Sequence, residues 1–200
     1  MEERRELERV AARKLDGISP ARQAFDRWFL RLLSRGLGFL LRRWLALVNL
    51  INGLILAGAV LVPLMRHVGL EEMASAVFTA YHVICQQIPD HSYFLLGHQL
   101  ALDQRMMAIY GFSLVAGLVY VSLRGRLHPL SWRAYFILVL PMAADGFTQL
   151  FGWRHSTWQL RTATGALFGI ATVWLAYPHL DAALRPKGSP GRSPAPRSPD

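Results

Sequence analysis

The stretch 44–65 (WLALVNLINGLILAGAVLVPLM) constrains this chain more than any other feature. It runs for twenty-two residues without one Asp, Glu, Lys or Arg. A helix that crosses the hydrocarbon of a bilayer needs about 20 mostly apolar residues, and this stretch supplies them unbroken. Three further apolar stretches follow, at 106–123, 135–153 and 162–180; of these only 135–153 carries a charge, Asp145. None alternates as the strands of a membrane barrel do. The first is too long, behind too long a charged arm, for a signal peptide.

Composition agrees. Hydrophobic residues make up 52% of the chain and charged residues 18%, against the roughly 25% usual for a soluble domain. The net charge of +9 is unevenly spread: eleven of the 22 Lys and Arg precede Trp44. A soluble enzyme is excluded, and so is a nucleic-acid binder, whose basic residues would decorate a folded surface. The single cysteine, Cys85, excludes an intramolecular disulfide framework and a multi-cysteine metal site.

The basic residues also set an orientation. With both termini inside, eighteen Lys and Arg lie on the inner side and four on the outer, Arg66, Arg105, Arg154 and Arg161. That asymmetry predicts a multi-pass protein of the cell membrane with N and C termini cytoplasmic. The expected fold class is all-α: a polytopic four-helix transmembrane bundle with an interfacial N-terminal amphipathic helix. Residues 1–43 form the basic cytoplasmic arm, 44–180 the four-span domain, and 181–200 a disordered Pro/Ser-rich tail. Small residues Gly111, Ala116 and Gly117 in the second span, and Gly165, Ala166 and Gly169 in the fourth, favour close helix approach.

Within the arm, 2–15 reads as a charged helix. Over 20–42, Phe25, Trp28, Phe29, Leu32, Leu33 and Leu37 form an apolar stripe, with Arg27, Arg31 and Arg35 on another face. Such a helix lies in the headgroup plane of a bilayer and draws anionic lipid as its partner. The connection 66–105 reads as an outer loop with a short helix over 70–87, followed by a loop over 88–100 that Pro89, Asp90 and Gly97 break.

Asp145 is the most informative polar residue. A carboxylate in a span costs a few kcal/mol, faces the bundle interior and needs a partner. Gln149 lies one turn on and Thr148 beside it, while Arg105 and Arg161 stand where their chains enter the membrane. These residues outline an outward-facing pocket. A second cluster holds His82, Cys85, His91 and His98. His82 and Cys85, three apart on a helix, with His91, are weak metal candidates, because the spacing matches no metal motif. No metal or other cofactor is therefore expected. Nucleotide-binding, metalloprotease and hydrolase motifs are lacking, and the balance leans away from an enzyme.

The chain resembles the prokaryotic membrane-protein family called domain of unknown function 2085. Its first block, Cys-His-Gln-x-Pro-x-Arg-Ser-aromatic, appears as Cys85, Gln86, Gln87, Ile88, Pro89, Asp90, His91, Ser92 and Tyr93, so the family's His and Arg are replaced. In the Cys-x-Arg-Cys block both cysteines are gone, with Asp103 and Met106 in their places, and Arg105 survives. The third block matches throughout, from Leu140 and Pro141 through Asp145, Gly146, Thr148, Gln149, Leu150, Arg154 and Ser156 to Leu160, Arg161, Thr164, Gly165, Leu167, Phe168 and Gly169. The resemblance implies a membrane location and a shared polar site of Arg105, Asp145, Thr148, Gln149, Arg154 and Arg161, and supplies no reaction.

Three readings follow. The leading one is a protein that binds a small polar molecule or lipid headgroup, with Asp145 accepting hydrogen bonds and Arg105 and Arg161 holding a carboxylate or phosphate. The alternative is an accessory or assembly subunit, its Asp145–Arg pair structural, that docks a membrane partner or a second copy of itself. The third is a thiol or metal site at His82 and Cys85.

Overall fold

The computed structural model describes residues 20–184. The charged helix expected over 2–15 and the Pro/Ser-rich segment 186–200 lie outside the described residues. The elements are α1 (Pro20–His67), α2 (Glu71–Ala80), β1 (Ser92–Leu95), β2 (His98–Asp103), α3 (Gln104–Leu123), α4 (Trp132–Leu150) and α5 (Trp158–Leu184), with 3-10 turns at Tyr81–Val83 and Pro89–His91. The chain divides into two compact units, Met1–Trp44 and Leu45–Asp200.

In the first unit α1 leaves Phe25, Trp28, Phe29, Leu32 and Leu33 exposed. Phe25 stacks on Phe29, ring centroids 6.1 Å apart. Arg27 and Arg31 are exposed too. Helix α1 has 48 residues.

The second unit is mostly helical. Three stretches are long and apolar enough to cross a membrane: Arg43–His67, Gln104–Leu123 and Trp158–Leu184. The expected third span corresponds to α4, which has 19 residues but is less apolar because Arg133, Asp145 and Gln149 lie within it. It ends at Leu150, and the segment expected to continue to 153 is a turn.

Two glycines on α5 bring it against α3. A Cβ at Gly165 would lie 2.7 Å from the Arg105 carbonyl oxygen, and one at Gly169 2.6 Å from that of Ile109. Only a residue without a side chain permits that backbone approach. Gly117 sits under Asn49 of α1 and Tyr177 of α5, whereas Gly111 faces open space. Ala166 is half-buried.

The connection 66–105 departs from the expected loop. The helix covers only residues 71–80, and the chain then folds into an antiparallel hairpin that pairs Phe94 with Gln99 and Leu95 with His98. The described residues are therefore mostly helical, with one two-stranded hairpin. Gln87, at φ 55°, ties the parts together: its Nε2 donates to the carbonyls of Phe78 (2.7 Å) and Ala101 (2.9 Å). Cys85, Ala101 and Leu102 form a core with Ala59 and Val62 of α1, packed by Phe78, Tyr81, Met106 and Tyr110. Tyr81 donates to the Ile55 carbonyl at 2.6 Å.

At its C-terminal end α5 continues to Leu184, beyond the expected boundary at 180. Residues 181–184 are helix, and Asp181 is buried. Asp181 Oδ1 accepts from Arg124 Nε at 3.0 Å and Nη2 at 2.5 Å.

Candidate functional site

Asp145 occupies the last part of α4, 2% exposed, and is bonded on every side. Its Oδ2 accepts from Arg105 Nη2 (2.5 Å), Gln149 Nε2 (3.0 Å) and Ser156 Oγ (3.0 Å). Its Oδ1 accepts from Arg154 Nη2 at 2.6 Å. Thr148 Oγ1 reaches the Asp145 backbone carbonyl instead, at 3.1 Å. Gln149 Nε2 shares itself between that carbonyl (2.9 Å) and the carboxylate.

Local structure explains why these residues meet here. Arg105 follows Asp103, whose carboxylate caps α3 by accepting from the Met106 N–H at 2.7 Å. At the end of α4, Gly152 takes φ 67°. The Gly152 N–H donates to the Gln149 carbonyl, and the Trp153 N–H to that of Thr148, each at 3.0 Å. This is a Schellman termination. It turns the chain back, so that Arg154 and Ser156 return to the carboxylate from below.

Arg161 is not among Asp145's donors. It lies in the first turn of α5, 6% exposed, and its Nη1 donates to Gln104 Oε1 (3.2 Å) and the Asp90 carbonyl (3.4 Å). Among the described residues it makes no ion pair, and its buried Nε has no hydrogen-bond partner. The tight α3–α5 approach at Gly165 explains this: it sets the start of α5 against the start of α3, beside Gln104 rather than Asp145. The site therefore holds three guanidiniums around one fully bonded carboxylate. Arg154 is half exposed and Arg105 largely covered; the Arg105 Nε is also buried without a partner.

A cleft of about 420 Å³ opens beside this network. Cys85, Gln86, His91, Asp103, Arg105 and Gln149 line its polar part, and Ile84, Ile88, Met106 and Leu150 the rest. Burial and the positive charge of Arg161 push the His91 imidazole below its ordinary value. Burial pushes the Cys85 thiol up, against two backbone N–H groups, of Gln87 (3.4 Å) and Asp103 (3.3 Å), that donate to its sulfur.

His82 does not join Cys85. It is exposed and packs edge-on against Phe78, while Cys85 is buried in the core. Among the described residues no group of three or more His, Cys, Asp or Glu is placed to hold a metal ion. The sequence reading overlooked Ser156 and Gln104 as partners and the whole Arg124–Asp181 pair. Arg124 is visible as the first basic residue after a span, but Asp181 lay beyond the expected helix end.

Three apolar helices of membrane-spanning length, with a buried carboxylate–guanidinium network between the starts of α3 and α5 and the end of α4, define a helical membrane protein. The chain belongs to the family described as predicted membrane protein (DUF2085), whose model matches residues 85–175. An uncharacterised protein of Methanocaldococcus jannaschii is 37% identical over 107 residues, covering 51% of this chain and 67% of that protein. One of Methanothermobacter thermautotrophicus is 32% identical over 107 residues, 50% of this chain and 92% of that protein. No solved structure matches.

Proposed function

We propose that the protein is a four-span cell-membrane protein, both termini cytoplasmic, that binds a small polar molecule or lipid headgroup in the cleft beside Arg105 and Asp145. Helix α4 is the third of the four spans in this reading. It tolerates Asp145 because that carboxylate is neutralised within the protein. The basic first part of α1 lies against the cytoplasmic headgroups, where anionic lipid attracts it. With both termini cytoplasmic, the starts of α3 and α5 lie on the outer side, and the cleft opens there.

The observation that carries the reading is the cluster of guanidiniums at and behind the cleft, which Asp103 and Asp90 approach without pairing Arg161. Two guanidiniums share Asp145, and the buried Arg161 has only neutral partners. Buried charge is costly unless compensated, and a carboxylate or phosphate in the cleft supplies the compensation. Asp145 then orients Arg105 and Arg154 rather than touching the ligand. Native mass spectrometry of the intact protein in mild detergent tests this, with Asp145→Asn alongside. A stoichiometric ligand retained by the parent and lost from a folded Asp145→Asn supports it. Equal retention by both, or an empty parent, overturns it.

A second reading is an accessory subunit with a structural ion-pair network. The four donors on Asp145 favour it, since a carboxylate so bonded already has a complete set of partners. Co-purification of a stoichiometric membrane partner, lost on deletion of residues 1–35, distinguishes it.

A further inference from the structure

The lining of the cleft mixes two chemistries. Arg105, His91, Gln86 and Gln149 present polar groups, with the Asp103 carboxylate engaged by the Met106 N–H, while Ile84, Ile88 and Leu150 present hydrocarbon. The apolar residues are not covered by the protein: Leu150 is 77% exposed, and Ile84 and Ile88 are also exposed. In a water-facing pocket for a soluble ligand, such a rim costs apolar surface left in water. In a membrane protein it is explained if the mouth meets the lipid.

Nearby aromatics set the depth. Phe147 and Phe151 flank Leu150 along the chain, Trp153 and Trp158 follow, and all four are exposed. Phe151 stacks on Trp153 with centroids 5.4 Å apart. Exposed tryptophans at the end of an apolar helix mark the boundary between acyl chains and headgroups. Arg105 and Asp145 lie next to that boundary, so a headgroup is at the right level to enter sideways.

We propose that the occupant is an anionic amphiphile, a carboxylate or phosphate borne on an apolar chain. Its headgroup lies against Arg105, in the positive field of Arg154 and Arg161, and its chain leaves over Ile84, Ile88 and Leu150. A cleft of about 420 Å³ falls within the roughly 300–1,000 Å³ of ligand pockets. It takes a headgroup and leaves the chain in the bilayer. This inference rests on the preceding reading that the cleft binds a ligand, and narrows it from polar molecules in general to a lipid.

The test uses the full chain in nanodiscs of phosphatidylcholine containing a minor fraction of phosphatidylglycerol. Lipid co-isolated after gentle extraction is measured by native mass spectrometry. The parent is expected to retain phosphatidylglycerol about tenfold above its bilayer fraction, in a ratio near one per chain. Arg105→Gln should remove that enrichment, and so should the double variant Ile88→Gln/Leu150→Gln. Both residues of the double variant are exposed, so it folds even where Arg105→Gln does not. Lipid held only by the basic arm would survive both sets of changes, and that outcome overturns the proposal. Millimolar inorganic phosphate or acetate should not displace the lipid. If either soluble anion binds equally well to the parent and the apolar-rim variant, the cleft is a soluble-anion site, and the lipid inference falls while the binding reading stands. If neither lipid nor anion is retained in the cleft, both fall.

Discussion

Replacing Asp145 by Asn keeps the shape of the side chain and removes its charge. Asn retains one acceptor for Ser156 or Gln149, but two guanidiniums lose their counter-ion, Arg105 at 2.5 Å and Arg154 at 2.6 Å. Breaking a fully buried ion pair from one side costs about 3–5 kcal/mol. Arg154 has 49% of its side chain exposed, so water recovers part of that charge, and the figure falls to about 2–3 kcal/mol. For a chain of this size each kcal/mol moves the melting temperature by about 2–4 °C, so Asp145→Asn should lower Tm by about 5–10 °C in detergent. The double variant Asp145→Asn/Arg105→Gln removes one of the stranded charges. It should lose less than the sum of the single variants, with a coupling of about 1–2 kcal/mol. Thermal unfolding of all four proteins, followed by intrinsic tryptophan fluorescence, measures the cycle. A Tm for Asp145→Asn within 2 °C of the parent, or strictly additive losses, would refute the argument that this carboxylate is the electrostatic centre of the bundle end.

Three other outcomes follow from the packing and the charges. Gly169→Leu places a side chain where a Cβ already meets the Ile109 carbonyl at 2.6 Å, so it should cost about 1–3 kcal/mol in the same melting assay, while Gly111→Ala, into open space, should cost nothing. Asp181→Asn should destabilise less than Asp145→Asn, because the Arg124 it strands is 47% exposed; a larger loss than at Asp145 would contradict the ranking. His91 has its pKa held below the ordinary 6.5, first by burial and then by Arg161. The unfolded chain therefore takes up the proton more readily, so the stability His91 contributes is complete above pH 6.5 and is lost as pH falls below it. Melting curves from pH 7.5 to 5 should show that decline, and His91→Asn should flatten it.

The apolar helices were legible because length alone dictates them, whereas their ends depend on single hydrogen bonds. Helix α3 begins at Gln104 because Asp103 caps it. Helix α4 begins at Trp132 because the Ser131 hydroxyl accepts from the Ala134 N–H. Both caps are readable in principle, as Asp and Ser are favoured at that position, but hydropathy hides them by marking only where charge stops. The hairpin was harder. Its two-residue turn is Leu96–Gly97, with φ 52° and 80°, a turn that usually announces itself as Asn-Gly or Asp-Gly. A leucine there carries no turn signal, and it is tolerated because the strands on either side are fixed by Gln87, Gln99 and Ser92.

The site was legible in its centre and open in its pairing, and the reason lies in what each partner depends on. Asp145 stands out because charge in an apolar span demands an answer wherever the helix packs. Its cation was sought at the starts of helices, which offered Arg105 and Arg161 as candidates without deciding between them. Which guanidinium reaches the carboxylate is decided by two backbone events that no charge count contains. One is the Gly165 contact that sets α5 beside Gln104. The other is the Schellman turn at Gly152 that brings Arg154 back beneath Asp145. A substitution at either glycine should thus change the charge network without touching a charged residue. Gly152→Val is the sharper case: a β-branched side chain at φ 67° is strained, and relief of that strain would release Arg154 from Asp145. Its Tm should fall as far as that of Arg154→Gln, and the two changes should not add when combined. Full additivity would mean that the turn and the ion pair are independent, and that Arg154 reaches Asp145 without the turn.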